Sequence, residues 1–133
     1  MPALPLEHKW VLVVEAETNS SALFTALFES AGAGVIVASS LNEALRVLDC
    51  FIPNVVISEL VLPDGHGCDL AQHLSHVESE LGLRVPAIAI SAGTHPRARE
   101  QALAAGFRTY LTRPVEPDAL VQKVVSLVHR CQG

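Results

Sequence analysis

Residues 55–60, Val-Val-Ile-Ser-Glu-Leu (VVISEL), run four apolar or small side chains into a glutamate and then return to leucine. An acid at that point stands where a strand buried on both faces should be ending. The same texture recurs four more times. WVLVV (10–14), VIVA (35–38), NVVIS (54–58), VPAIAIS (85–91) and RTYL (108–111) are short, rich in β-branched residues and nearly continuous rather than alternating. Parallel strands covered on both faces have this pattern, because neither face needs polar side chains.

Between the runs lie segments of helical spacing, with Ala22, Leu23, Ala26 and Leu27 in the first and Leu41, Ala44, Leu45 and Leu48 in the second. Ser40 with Glu43 forms a candidate capping box for the second helix. Pro96 and Pro117 suit the first turns of the fourth and fifth helices. Gly32, Gly82 and Gly106 stand where the first, third and fourth helices should stop. Five βα units follow, and right-handed crossovers wind them into a single doubly wound five-stranded parallel sheet within a three-layer α/β/α sandwich. The whole chain, 1–133, is expected to be one domain with residues 1–8 as a flexible lead-in.

Half of the 133 residues are apolar, enough for one compact core. Nine basic residues against fourteen acidic ones give a net charge of −5, which argues against a general grip on nucleic acid or an anionic bilayer. Cys50, Cys68 and Cys131 are odd in number, scattered and without CxxC spacing, so neither a disulfide framework nor a zinc site is indicated. A reducing, cytoplasmic setting is expected. The opening MPALPLEHKW lacks the basic head and apolar core of a signal peptide, and no run approaches the ~20 residues of a membrane span.

In an open α/β sheet, chemistry collects where the strands end at their carboxyl side. The residues there are Glu15 and Glu17 after the first strand, Glu59 after the third, Ser91 after the fourth and Arg113 just past the fifth. VLVVEAE, VVISELVLPDGHG, AIAISAG and YLTRPV occur in the order and spacing of the response-regulator receiver domain, and over nearly its whole length the chain resembles that family of two-component signalling. The resemblance implies a flavodoxin-like (βα)5 fold. It also implies an aspartate at the end of the third strand that accepts a phosphoryl group from a kinase histidine, an acidic pair that helps hold Mg²⁺, and a lysine that contacts the phosphoryl group.

This chain departs from that pattern. The acceptor position is Glu59, the acidic pair reads Glu15-Ala16, and the lysine position is Arg113; only the hydroxyl at Ser91 is of the usual type. Phosphoryl transfer depends on positioning and charge neutralisation. The extra methylene of Glu59 moves its carboxylate out by about 1.3 Å, where a misplacement of about 1 Å costs roughly a hundredfold. Mg²⁺ demands a near-ideal octahedron of oxygens, and Ala16 supplies none, so any Mg²⁺ site at Glu15, Glu17 and Glu59 is expected to be weak or absent. Arg113, always charged and able to present a planar fork, is expected to neutralise part of the charge of Glu15 and Glu59, so that the rim is held without metal.

Blander readings stand beside these. Glu15 and Glu59 read alternatively as solvated loop carboxylates, and Glu17 as a residue serving the positive end of the first helix. Ser91 reads as an ordinary strand-end hydroxyl or as a remnant switch. Tyr110 resembles the family's aromatic switch, which turns inward on activation, but a tyrosine on an outer strand is more often a half-buried anchor with its hydroxyl in water, and that is the expectation here. His73 and His76 share a helix face without an evident third ligand.

The expected function is that of a degenerate receiver, or pseudo-receiver: a non-enzymatic protein-interaction module that works without phosphorylation and without a cofactor. Its partners would be a histidine kinase, a phosphotransfer protein or an output protein. The resemblance points to the face of the fourth helix, fifth strand and fifth helix, with Arg97, Arg99, Arg108, Tyr110 and Lys123, for partner or homodimer contacts. The first helix, with Ala22, Thr25, Ala26 and Glu29, is a secondary candidate. Two other readings compete. One is an active phosphoacceptor that uses Glu59 with a remodelled Mg²⁺ site. The other is a small-ligand-binding flavodoxin-like domain, although the chain has no GxGxxG or GKS/GKT loop and its first turn, EAETNS, is acidic.

Overall fold

The computed structural model describes residues 4–93 and 95–130. Five parallel strands, β1 (Trp10–Val14), β2 (Gly34–Ala38), β3 (Val55–Glu59), β6 (Ala87–Ser91) and β7 (Thr109–Thr112), form one sheet in the order β2-β1-β3-β6-β7. A two-residue hairpin of β4 (Val61–Leu62) and β5 (Gly65–His66) stands apart from it. The helices are α1 (Thr18–Ser30), α2 (Leu41–Cys50), α3 (Gly67–Leu81), α4 (Ala98–Ala105) and α5 (Pro117–Arg130).

The continuous apolar runs do lie between two helical layers. Leu12, Val14, Val56, Ala87 and Ala89 pack with residues of α2, α3 and α4, while the alternate positions Val11, Val13, Val55, Ile57, Ile88 and Ile90 pack with α1 and α5 through Phe28, Leu120 and Val124. The period of two along each strand thus divides one apolar run between two cores.

Several local expectations need correction. In α1 the inward face is Phe24, Leu27 and Phe28, while Ala22, Leu23 and Ala26 are exposed; the two phenylalanines outweigh the alanines in buried area and set the helix's rotation. Ser40 caps α2 by accepting from the Glu43 N–H (3.1 Å), but the Glu43 carboxylate reaches the Ser39 N–H (3.1 Å), so the box closes one residue early. Pro96 lies in a turn ahead of α4, which begins at Ala98, whereas Pro117 does open α5. Gly32, Gly82 and Gly106 all follow helices with positive φ.

Residues 1–3 of the expected lead-in, and Cys131, lie outside the described residues. The rest of that lead-in is tied down: Leu6 is fully buried in the α1–α5 core and its N–H donates to the Ala31 carbonyl (2.8 Å). Among the described residues no helix is long and apolar enough to cross a membrane.

Candidate functional site at the carboxyl edge of the sheet

The strand register assembles the rim. Val14 pairs with Ser58, so the next residues, Glu15 and Glu59, emerge side by side. Glu15 is 6% exposed and its backbone N–H donates to the Ala38 carbonyl (2.9 Å), which carries β1 one residue past its last ladder pair. Glu59 is held from below. Gly67 approaches so closely that a Cβ there would lie 2.7 Å from the Glu59 carbonyl oxygen and 3.2 Å from Leu60 Cα. Its N–H donates to the Leu60 carbonyl (2.7 Å), locking the turn that follows Glu59.

Arg113 leaves β7 with its N–H donating to the Ser91 carbonyl (2.9 Å) and sends its guanidinium back across the rim. One terminal nitrogen, Nη2, donates to both Glu15 Oε1 and Glu59 Oε2. The expected cation therefore bridges the two acids, but through one shared nitrogen and not a fork closed on one carboxylate. Nη1 faces Ser20 Oγ at 3.5 Å, and the guanidinium carbon lies 6.0 Å from the centre of the Phe24 ring, within cation–π reach. Ser20 and Phe24 were not singled out in the sequence. Their i, i+4 spacing on the first turns of α1 was the available signal, and it required knowing the helix's rotation.

Burial pushes the Glu59 carboxyl above its ordinary range; the bond and charge of Arg113 pull against this, and the nearby Glu15 adds to the rise. Burial alone would lower the Arg113 guanidinium, but Glu59 and Glu15 hold it above its usual value. Both shifts have their cause in one cluster of two acids and one base, partly withdrawn from water.

The other candidates fall away from this cluster. Glu17 accepts from the Asn19 N–H (3.1 Å) and the Ser20 N–H (2.7 Å), capping α1, and Ser20 holds its carboxyl below the ordinary range. Ser91 Oγ accepts from the Gly93 N–H (3.1 Å) within its own loop. Tyr110 is 8% exposed and packs in the α2–α4 core, more buried than the half-buried anchor expected. On the face of α4, β7 and α5, Arg97, Arg99 and Lys123 are exposed, whereas Arg108 is drawn toward Glu78 of α3 (3.5 Å). Among the described residues, no three His, Cys, Asp or Glu side chains converge as a metal site.

With this geometry in place, comparison with known proteins is informative. Residues 11–125 match the family model of the response regulator receiver domain. An uncharacterised 14.6 kDa protein of the sodA1 3′ region of Leptolyngbya boryana is 33% identical over 114 residues, 86% of each chain. The regulator of RpoS from Escherichia coli K12 is 30% identical over 112 residues; the match spans 84% of this chain but only 32% of that longer protein. Among solved structures, the receiver domain of the sensor histidine kinase PA1611 of Pseudomonas aeruginosa, with magnesium in its active-site cleft, superposes with a TM-score of 0.81 at 23% identity, covering 91% of this chain and 98% of that one. The receiver domain of Ssk1 in complex with the phosphotransfer protein Ypd1, from Saccharomyces cerevisiae, gives 0.83 at 23% identity over 93% and 91%. A family match over residues 11–125, which reaches every strand of a sheet whose carboxyl edge carries residues 15, 59, 91 and 113, means that this chain belongs to the response regulator receiver domain family.

Proposed function

We propose that this receiver is a signalling module that acts by protein docking, independently of phosphorylation and without catalysing phosphoryl transfer. One observation carries the reading: Arg113 Nη2 is shared by the Glu15 and Glu59 carboxylates. A guanidinium in that position supplies one of the two positive charges that a dication would otherwise bring. The residues fit magnesium poorly. Two carboxylates are already engaged, the position between Glu15 and Glu17 is alanine, and Glu17 is committed to α1. A magnesium ion would have to displace the guanidinium and would still lack carboxylate ligands for a rigid octahedron.

The burial of Tyr110 supports the same reading. In receivers whose state is switched, an aromatic at this position turns inward on activation; here the ring lies inside the core with Glu59 unmodified, as an inward arrangement reached without phosphorylation requires. The α4-β7-α5 face, with Arg97, Arg99 and Lys123 exposed, is the proposed contact for a kinase, phosphotransfer or output protein, or for a second copy of the chain. Arginine is enriched at protein interfaces, which suits Arg97 and Arg99 to that contact. The net charge of −5 supports a protein partner over nucleic acid or membrane.

The test is incubation with Mg²⁺ and acetyl phosphate, read by intact mass. No added phosphoryl group is expected, alongside unchanged amide shifts at Ser91 and Tyr110. A stoichiometric gain of one phosphoryl group on Glu59 would reverse the proposal in favour of an active, Mg²⁺-dependent phosphoacceptor.

A further inference from the structure

The short hairpin that follows Glu59 caps two helices. Asp64 accepts from the Leu41 and Asn42 N–H groups (2.8 and 2.9 Å) at the start of α2, and His66, the last residue of β5, is the N-cap of α3. His66 is half-buried, its backbone is extended (φ −125°, ψ 142°), and its Nδ1 accepts from the Cys68 N–H at 3.1 Å. Serine, threonine, aspartate and asparagine are the residues that favour such a position. An imidazole serves there only while neutral with its proton on Nε2, because Nδ1 then keeps the lone pair that the bond needs.

Protonation reverses that contact. Nδ1–H then meets the Cys68 N–H, donor against donor, and a positive charge stands at the positive end of the α3 dipole. Histidine is the side chain whose ordinary pKa puts this change between pH 5 and 8. The surrounding groups do not replace the lost acceptor. Asp64 is occupied by α2, and its bonds from Asn42 and Leu41 hold its carboxyl below the ordinary range, so the hairpin stays fastened to α2. The Cys68 thiol, raised by burial and by Asp69, stays neutral in this window, with Sγ against the Gln101 carbonyl of α4 (3.8 Å). The Glu59 carboxylate of β3 is turned to Arg113. Asp69, exposed in the first turn of α3, softens the charge without supplying the Cys68 N–H bond. Among the described residues no ion pair involves His66. The cap also abuts the rim. Gly67, next in the chain, donates its N–H to the Leu60 carbonyl (2.7 Å) and lies so close to the Glu59 carbonyl oxygen that a Cβ does not fit between them.

We propose that His66 is a pH-sensitive latch: neutral, it clasps the first turn of α3 to the β4–β5 hairpin, and protonated, it releases that turn and lets the backbone behind Glu59 shift. The inference goes beyond the docking function, since the latch requires neither the Arg113 bridge nor a silent Glu59.

Amide hydrogen exchange and ¹⁵N shifts of the full chain between pH 8 and pH 5 test it. With exchange rates corrected for their intrinsic pH dependence, protection of the Cys68 N–H should fall about fivefold on acidification, the weight of one N-cap, and the Leu60 and Gly67 amide shifts should move along the same titration. His66→Asn keeps an uncharged acceptor and should abolish the fall at Cys68. The remaining histidines still titrate in that variant, including His95, whose Nδ1 likewise accepts from an N–H two residues on, that of Arg97 (3.1 Å). Glu59 also titrates in both proteins, so the difference between wild type and variant at Leu60 and Gly67 is the quantity read. His66→Ala, with no acceptor at any pH, should show the low Cys68 protection already at pH 8 and no further fall. Unchanged Cys68 protection in the wild type, a fall that survives in His66→Asn, or Leu60 and Gly67 shifts identical in the two proteins would overturn the proposal.

Discussion

The guanidinium of Arg113 at the end of β7 bonds the carboxylate of Glu59 at the end of β3, although β6 lies between those strands. The arginine reaches over one strand's end and continues to Glu15 on β1, so a single side chain ties three strands across the rim. Removing it leaves two carboxylates facing each other with no counter-charge. Arg113→Met should therefore lower stability by about 1–3 kcal/mol at neutral pH, a range reduced from that of a fully buried pair because the arginine is one-third exposed. The deficit should shrink on acidification. Without Arg113, the Glu59 pKa rises further above its unfolded value, the folded state holds the extra proton, and stability falls as pH rises through that window. Urea melts at about pH 7.5 and pH 5 measure both effects, and a pH-independent deficit would count against the cluster.

Glu59→Gln should behave oppositely. Burial has already raised the Glu59 carboxyl, so its ionised form is costly to the fold, and glutamine retains an oxygen for Arg113 Nη2 while Glu15 supplies the charge. The variant should match or exceed the wild type by up to ~1 kcal/mol at neutral pH. On acidification through the Glu59 pKa the wild type should catch up, because only it gains a proton on folding. A loss of several kcal/mol at neutral pH would mean that the Glu59 charge itself is indispensable.

Magnesium affinity should be recoverable by restoring the missing features together. Ala16→Asp adds a carboxylate, Glu59→Asp draws the acceptor back, and Arg113→Lys removes the planar group that bridges both acids. Isothermal titration should show saturable magnesium binding by the triple variant and none by the wild type at the same concentration. Comparable heats from both would mean that the rim accepts metal despite Arg113.

Gly67→Ala should be poorly tolerated for a reason unconnected with charge. The new methyl group would sit 2.7 Å from the Glu59 carbonyl oxygen and against Leu60 Cα, both backbone atoms that cannot swing aside. A loss of about 1–3 kcal/mol is expected from such overpacking, with amide shifts concentrated at residues 58–60. Wild-type stability would show that the turn yields freely.

Asp64 offers a separate pH signature. Its carboxylate accepts from the N–H groups of Leu41 (2.8 Å) and Asn42 (2.9 Å), capping α2 from the hairpin, and those bonds hold its pKa below the ordinary value. Asp64→Ala should lower the urea midpoint at neutral pH. The difference should persist until the pH falls through the depressed folded pKa, then vanish, because below it both states of the wild type are protonated. A difference that disappears well above the ordinary carboxylate range would assign the effect to another group.

The strands and the acids that end them were legible in the chain because both are local. An apolar run needs only its own composition to demand burial on two faces, and a glutamate at its end must then lie on the carboxyl edge. The pairing of Arg113 with the acids was anticipated from family resemblance, since residues 15, 59 and 113 mean nothing to one another until the strand order β1-β3-β6-β7 brings their ends together. What the tertiary structure alone decided was orientation. Whether α1 turns Phe24 and Phe28 or Ala22 and Leu23 inward depends on the area buried against β1 and α5, and the outcome placed Phe24 beside Arg113 and left Leu23 over an open cleft. Asp64 capping a helix more than twenty residues away, and one guanidinium nitrogen shared by two acids instead of a fork on one, are likewise products of packing. Side-chain direction is settled by neighbours that the linear sequence does not name.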